Sequence, residues 1–433
     1  MTRRFLAILA VVVAWAWFTP AQAHLTPNSE VALDFGRESA LAAILIPLGE
    51  VSYAAGRPIT APPPVGRSPA PPELTRYVMD RIAAQAPDGR AWSIRVTDAA
   101  LFNDGATPPD LALKLELRPP PGAPLRRFDL RYAAVIDSVS NHFVLVFVRN
   151  DYDGGQLSDR PRMIGGLQQG TRTLRVDRGP ASAWRGFLSA IGLGMHHIAE
   201  GHDHLLFLMA LLLPAPLLAA AGRWGGFRGW RATAGQLTAV VSAFTVGHSL
   251  TLIGGAFFGW KLQAQPVEVL IAVSILISAV HAWRPLFAGR EPWVAAGFGL
   301  VHGLAFATLI GRFGLEPLQK AQSILGFNLG IEIVQLAVVA LVAPFLAVLA
   351  RTTSYPPMRN AVAAFCGTAA VAWIVERVTG ADNPVGRAID SGLAQAPWLL
   401  AALALATLVA IWADRRPPTL ADERESRPSA PQP

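Results

Sequence analysis

Apolar positions along the chain follow one period before about residue 180 and another after it. In the first stretch they come in short alternating or apolar runs, Glu30 to Phe35, Trp92 to Val96, Leu111 to Leu117, Phe128 to Tyr132 and Phe143 to Val148. A period of two is that of half-buried strands. Leu74 to Ala86 has helical spacing and predicts one amphipathic helix, while Asp151 to Gly170, punctuated by Gly, Asp and Gln, predicts a loop. Proline clusters at Ala61 to Pro72 and Pro119 to Pro124 separate these pieces, and no run here is long enough to cross a bilayer. The pattern predicts a mainly-β, sandwich-like domain with a helix over residues 24–180.

From Ala183 the apolar runs lengthen towards the ~20 residues that cross a hydrocarbon layer of ~30 Å. Spans are predicted near Asp203 to Ala221, Thr233 to Phe258, Val267 to Trp283, Trp293 to Ile310, Ser323 to Leu349, Ala361 to Val378 and Ala394 to Trp412. This makes residues 181–413 an α-helical polytopic membrane bundle of about seven spans. Ala183 to Glu200 reads as a re-entrant helix, an interfacial helix or a span of its own. Residues 414–433, rich in Pro, Arg and Glu, predict a disordered tail.

Composition agrees with this division, since 52% of the 433 residues are hydrophobic and only 15% charged, too apolar for an ordinary soluble protein. The net charge of +7 does not point to nucleic acid, because the arginines sit in short loops between apolar runs, where they set topology. Arg223, Arg228 and Arg231, Arg284 with Arg290, and Arg351 with Arg359 mark the cytoplasmic loops, which leaves the amino-terminal domain outside. Residues 1–23, with Arg3 and Arg4 before an apolar stretch and Ala21-Gln22-Ala23 at its end, read as a secretory signal peptide. The β-rich domain is therefore expected in the periplasm and the bundle in a bacterial inner membrane. Cleavage after Ala23 would make His24 the first residue, able to chelate Cu(II) or Ni(II) through its α-amine and Nδ1. The single Cys366 has no partner in the chain and reads as a buried small side chain.

Chemistry concentrates in GMHHIAEGHDHLLFLMALL, which contains H-x-x-x-G-x-D-H at His197, Gly201, Asp203 and His204. Residues seven apart share a helix face, and Gly201 could instead break the helix; either brings imidazole and carboxylate together. That ligand set suits Ni, Co, Zn, Cu or Fe. Later spans add Thr245, His248 and Ser249 in FTVGHSLTL, His302 in GLVHGLAFA, and Asn328, Glu332 and Gln335 at i, i+4, i+7 in GFNLGIEIVQL. A lone intramembrane His or Asn can simply bond across helices. A mid-span carboxylate such as Glu332 has to protonate or find a cation. Gly299 to Gly303 and Gly326 to Gly330 have helix-packing spacing. His196 and His202 read as flanking or surface groups, His281 as interfacial, and His142 as an ordinary surface or hydrogen-bonded histidine.

HHIAEGHDHLLFLMALLL, FTVGHSLTL, GFGLVHGLAFA and FNLGIEIVQL, in that order behind a soluble domain, resemble the HupE/UreJ family of hydrogenase and urease accessory membrane proteins, in its branch with a periplasmic domain. The resemblance implies a nickel or cobalt permease, with His197, Asp203 and His204 as entry ligands and His248, His302 and Glu332 at matching polar positions. It also implies the metal ion and the bilayer as partners, with metalloenzyme-maturation factors beside them. The sequence departs from the family where VHAWRP places His281 in a position expected to be acidic or amide. An intramembrane zinc hydrolase and a periplasmic sensor or assembly factor are the competing functions; no H-E-x-x-H occurs. A permease needs a polar path joining both faces, a hydrolase a blind pocket.

Overall fold

The computed structural model describes residues 28–57, 63–105, 107–260, 262–313, 315–393 and 395–414. The expected signal peptide, His24 and the tail beyond residue 414 lie outside them. The chain divides into two compact units, residues up to 150 with 159–180, and residues 151–158 with 181 onward.

In the first unit a seven-stranded sheet has the order β3-β5-β6-β2-β1-β8-β9. Its strands are β1 (Ser29–Phe35), β2 (Ala40–Pro47), β3 (Gly66–Pro69), β5 (Ser93–Asn103), β6 (Asp110–Arg118), β8 (Val144–Asp151) and β9 (Gln156–Leu167). A three-stranded sheet joins β10 (Thr173–Asp177), β7 (Arg127–Tyr132) and β4 (Ile82–Gln85). Alternation sets the register: Val31, Leu33 and Phe35 are buried on β1, and Leu111, Leu113, Leu115 and Leu117 on β6. A slip of one residue would turn each of these outward, at about 1.5–3 kcal/mol per side chain. Phe128 of the smaller sheet packs in the same core, 4.5 Å from Trp92 between ring centroids. The mainly-β expectation is thus met.

Three details differ from the sequence expectation. Leu74 to Ala86 is not one helix; α2 (Pro72–Met79) ends at Asp80 and β4 follows. Asp151 to Gly170 is not a loop but a 3-10 turn, Tyr152–Gly154, leading into β9. An unexpected short helix, α1 (Leu48–Ala54), follows β2.

The second unit is helical. Its helices are α3 (Ala183–Glu200), α4 (His202–Leu212), α5 (Trp230–Phe258), α6 (Ala264–Trp283), α7 (Glu291–Arg312), α8 (Pro317–Leu349), α9 (Tyr355–Thr379), α10 (Pro384–Leu393) and α11 (Ala396–Asp414). Among the described residues α5, α6, α8 and α9 are each long and apolar enough to cross a membrane, and the bent pair formed by α10 and α11 would make a fifth. The expected span Asp203 to Ala221 is a correction. Pro214 and Pro216 follow the end of α4, and two prolines this close remove two amide donors and crowd the preceding turn, which ends the helix here. The remaining apolar residues instead pair as a hairpin, β11 (Leu217–Ala220) with β12 (Arg223–Phe227). Its two-residue turn, Ala221 and Gly222, has both φ angles positive, as a tight hairpin turn requires.

Missing Cβ atoms set the helix packing. A Cβ on Gly330 of α8 would lie 2.1 Å from the Ile191 carbonyl of α3, and one on Gly299 of α7 2.1 Å from the Phe244 carbonyl of α5. Backbones therefore touch along both pairs, as small-residue spacing allows. Leu208 and Leu212 of α4 share a core cluster with Leu346 and Leu349 of α8, so α3 and α4 lie against successive parts of α8. Cys366 is buried among Ala369, Ala370 and Trp373.

Candidate metal centre

Gly201 separates α3 from α4 in an extended conformation, φ −79° and ψ 91°. Space, not backbone freedom, demands glycine there: a Cβ would sit 2.7 Å from the His197 carbonyl and 2.9 Å from His204 Nδ1. The break lets the last turn of α3 and the first turn of α4 present His197 and His204 to each other, with ring centroids 4.7 Å apart. His248 enters from α5, held by the contact between Gly299 and the α5 backbone one turn away. One ligand atom from each of His197, His204 and His248 lies within 4.8 Å of the other two. Nitrogens that share an ion at ~2.1 Å stand about 3.4 Å apart in tetrahedral geometry, so a modest contraction completes the site.

Hydrogen-bond partners fix which nitrogens are free. His204 Nδ1 is 2.8 Å from Asp203 Oδ1; an ionised carboxylate only accepts, so Nδ1 carries the hydrogen and, on a neutral ring, Nε2 is a lone pair. His248 Nδ1 is 3.2 Å from Asn328 Oδ1, and the Asn328 amide donates to the Ile324 carbonyl, which orients its oxygen towards His248. His248 Nε2 is then a lone pair, fully buried without a partner, and His197 Nε2 is likewise unpartnered. His302 of α7 lies at the edge of the group. Its Nε2 is 3.0 Å from Ser274 Oγ, whose hydroxyl donates to the Ile271 carbonyl, so Nε2 is the donor and Nδ1 the lone pair. That lone pair faces His204 Nε2 at 3.4 Å. Buried lone pairs converging without a donor are what a cation satisfies, and a carboxylate behind a ligating histidine is the usual second partner of such a ring. The donor set fits a divalent transition metal.

The sequence candidates therefore divide. His197, His204 and His248 form the group, Asp203 and His302 touch it through His204, and Glu332 stands apart, its Oε1 accepting from Ser242 Oγ at 2.9 Å. His196 pairs with Glu200 at 2.9 Å on an exposed surface. His281 is not interfacial but fully buried. Its Nδ1 accepts from the amides of Leu286 and Phe287, and its Nε2 faces Glu291 at 3.8 Å. His142 is buried too, between Ser29 Oγ and the Glu50 carboxylate.

Three contributors escape a reading by histidine motif. Ser274 orients His302, and Glu268 and Glu376 line a pocket of about 360 Å³ with Glu200, His202, Asp203 and Arg377. Asp203 belongs both to this pocket and to the contact with His204. The signal for Glu268 was a lone acid opening an otherwise apolar helix, VEVLIAVSILIS. Glu376 had none, since it ends its span beside Arg377 like any helix-terminal charge.

Helices long and apolar enough to cross a membrane, packed around a cluster of histidines that could hold a metal ion, define the class: a membrane protein with a candidate metal site. Residues 172–377 match the model of the family described as HupE / UreJ protein, and this part of the chain belongs to the HupE/UreJ family. No curated protein and no solved structure matches the chain.

Proposed function

We propose that the protein binds a divalent transition metal ion, nickel or cobalt in preference to zinc or copper, and carries it across a bacterial inner membrane. The observation that carries this is the convergence of unpartnered, buried imidazole nitrogens of His197 (α3) and His248 (α5) on the His204 ring of α4, beside a pocket rich in carboxylates. In this reading the pocket gathers the hydrated cation, Asp203 and His204 draw it inward, and His197 and His248 replace part of its water shell, with His302 next in line. Glu332 would act later on the path. The metal is cargo, and imidazole with carboxylate is a donor set for nickel and cobalt as well as zinc.

The topology we propose has seven crossings: α3 and α4 as one broken span, then α5, α6, α7, α8 and α9, with α10 and α11 as the last. In favour of the broken span is that α3 (18 residues) and α4 (11 residues) together hold ~44 Å of helix, against ~30 Å of hydrocarbon. Residues 24–180 are then periplasmic, 181–413 embedded and 414–433 cytoplasmic, in line with the arginine loops. A reporter fused after Arg416 should be active only in the cytoplasm; periplasmic activity refutes this topology. Elemental analysis of the purified full chain, dialysed against nickel, should return bound metal that His204→Ala loses. Equal metal in both proteins overturns the proposed site.

A further inference from the structure

Beyond His248, α5 and α8 exchange further polar contacts, buried at Thr245 and Gln335 and half-buried at Ser242 and Glu332. Thr245 Oγ1 lies 3.5 Å from Gln335 Oε1, and Ser242 Oγ donates to Glu332 Oε1. Thr245 and Ser242 are three and six residues from His248, hence about 4.5 and 9 Å along the helix axis. Cross-helix hydrogen bonding as helix glue accounts for the serine, the threonine and the glutamine. It does not account for a carboxylate, because an amide would accept the same bond from Ser242 without an ionisable group on a membrane-crossing helix.

Among the described residues no Lys, Arg or His pairs with Glu332. One serine hydroxyl serves a group with about four acceptor positions. On the same two helices the Ser242 and Thr245 hydroxyls, the latter also donating to the Val241 carbonyl, and the Gln335 amide oxygen add neutral oxygen donors. These donors differ in kind from those of the histidine centre: carboxylate, hydroxyl and amide oxygens suit hard cations, imidazoles the later transition metals.

We propose that Ser242, Thr245, Glu332 and Gln335 form a second, all-oxygen cation station, separate from the histidine centre, that takes a small hard cation. The occupant is either the transported divalent ion after it leaves the imidazoles or a sodium ion that couples its movement. The station rests on the metal-carrier reading above, and it gives that reading a polar step between His248 and the far face of the membrane.

The test uses the full chain in liposomes, with nickel(II), manganese(II) and sodium as probes. With the histidines saturated by nickel, the wild type should bind one further cation, read as manganese(II) by electron paramagnetic resonance or as sodium by ²³Na relaxation. Glu332→Gln, and Thr245→Val combined with Gln335→Leu, should weaken it by about tenfold or more, as loss of supporting ligands does. Both variants should keep nickel at the histidines, which shows that they fold, and Thr245→Ser should behave as the wild type. Binding of manganese marks a station for a divalent ion, and binding of sodium marks a station for a monovalent coupling ion. If neither binds, or binding survives Glu332→Gln, the station is refuted. Nickel binding that His248→Ala leaves unchanged would instead refute the metal-carrier reading, a separate outcome.

Discussion

Buried histidines occur in both units, and the contrast between them separates a ring that holds structure from a ring that awaits a ligand. In the β-rich unit His142 has a Ser29 hydroxyl on one nitrogen and the Glu50 carboxylate on the other. In the helical unit His197 and His248 are tied or packed on one side and leave Nε2 buried with nothing to bond. Burial alone is the same in kind; the accounting of each nitrogen differs. Unmet buried nitrogens cost stability, and a cation coordinated by them would relieve that cost.

The strongest way to break this contrast is to exchange the two classes. His248→Ala should lower nickel affinity by more than about 100-fold, since even outer-shell changes cost 10–100-fold. It should leave the β-rich unit unaltered. His142→Ala should do the reverse, with nickel affinity unchanged by isothermal titration and the β-rich unit destabilised by about 2 kcal/mol, because it strands the Glu50 carboxylate and the Ser29 hydroxyl. Nickel affinity that falls in His142→Ala would erase the distinction.

A second test concerns the scaffold that brings the rings together. Gly330→Val would press a side chain against the Ile191 carbonyl, where even a Cβ has only 2.1 Å, and overpacking of this kind costs about 1–3 kcal/mol or more. The thermal midpoint of the detergent-solubilised chain should fall, with nickel affinity falling too as α3 is pushed off α8. A midpoint equal to that of the wild type would mean that the helices are not seated on their glycines.

Much of this was legible in the sequence where one period stood alone. The strands at Leu111 to Leu117 and Phe143 to Val148 alternate cleanly, and five apolar runs became long helices. The errors fall where two patterns share the same letters. Leu74, Val78 and Ile82 are spaced as a helix face, yet Ile82, Ala84 and Ala86 also alternate, and the second pattern wins after Asp80 because β4 pairs with β7. After His204 the apolar run continues through Pro214 and Pro216, so hydropathy reads a single span where the paired prolines end the helix. His281 was misjudged because its partners, the amides of Leu286 and Phe287, are backbone groups of a turn that no side-chain pattern announces. The site itself was half legible: the motif gave His197, Asp203 and His204, but which nitrogens are free depends on Asn328 and Ser274, residues of other helices.

The smallest expected effect sharpens the contrast from the surface of the β-rich unit, where charges are paired but wet. Glu116 of β6 contacts Arg95 of β5 at 2.6 Å and Arg118 at 2.8 Å. Hydrogen bonds from Arg95 first and Arg118 second hold its carboxyl down from the usual 4.5 to about 2. A depressed folded-state value means that the pair stabilises the sheet above pH 4.5 and that this support is lost as pH falls from about 4.5 to about 2. Because the arginines are exposed, solvent screens the pair and the effect is slight. Hydrogen exchange of the β5 and β6 amides in the full chain, corrected for the intrinsic pH dependence, should show protection declining across that window in the wild type and declining less in Glu116→Gln. Equal slopes in the two proteins would remove Glu116 as the cause of the loss of protection.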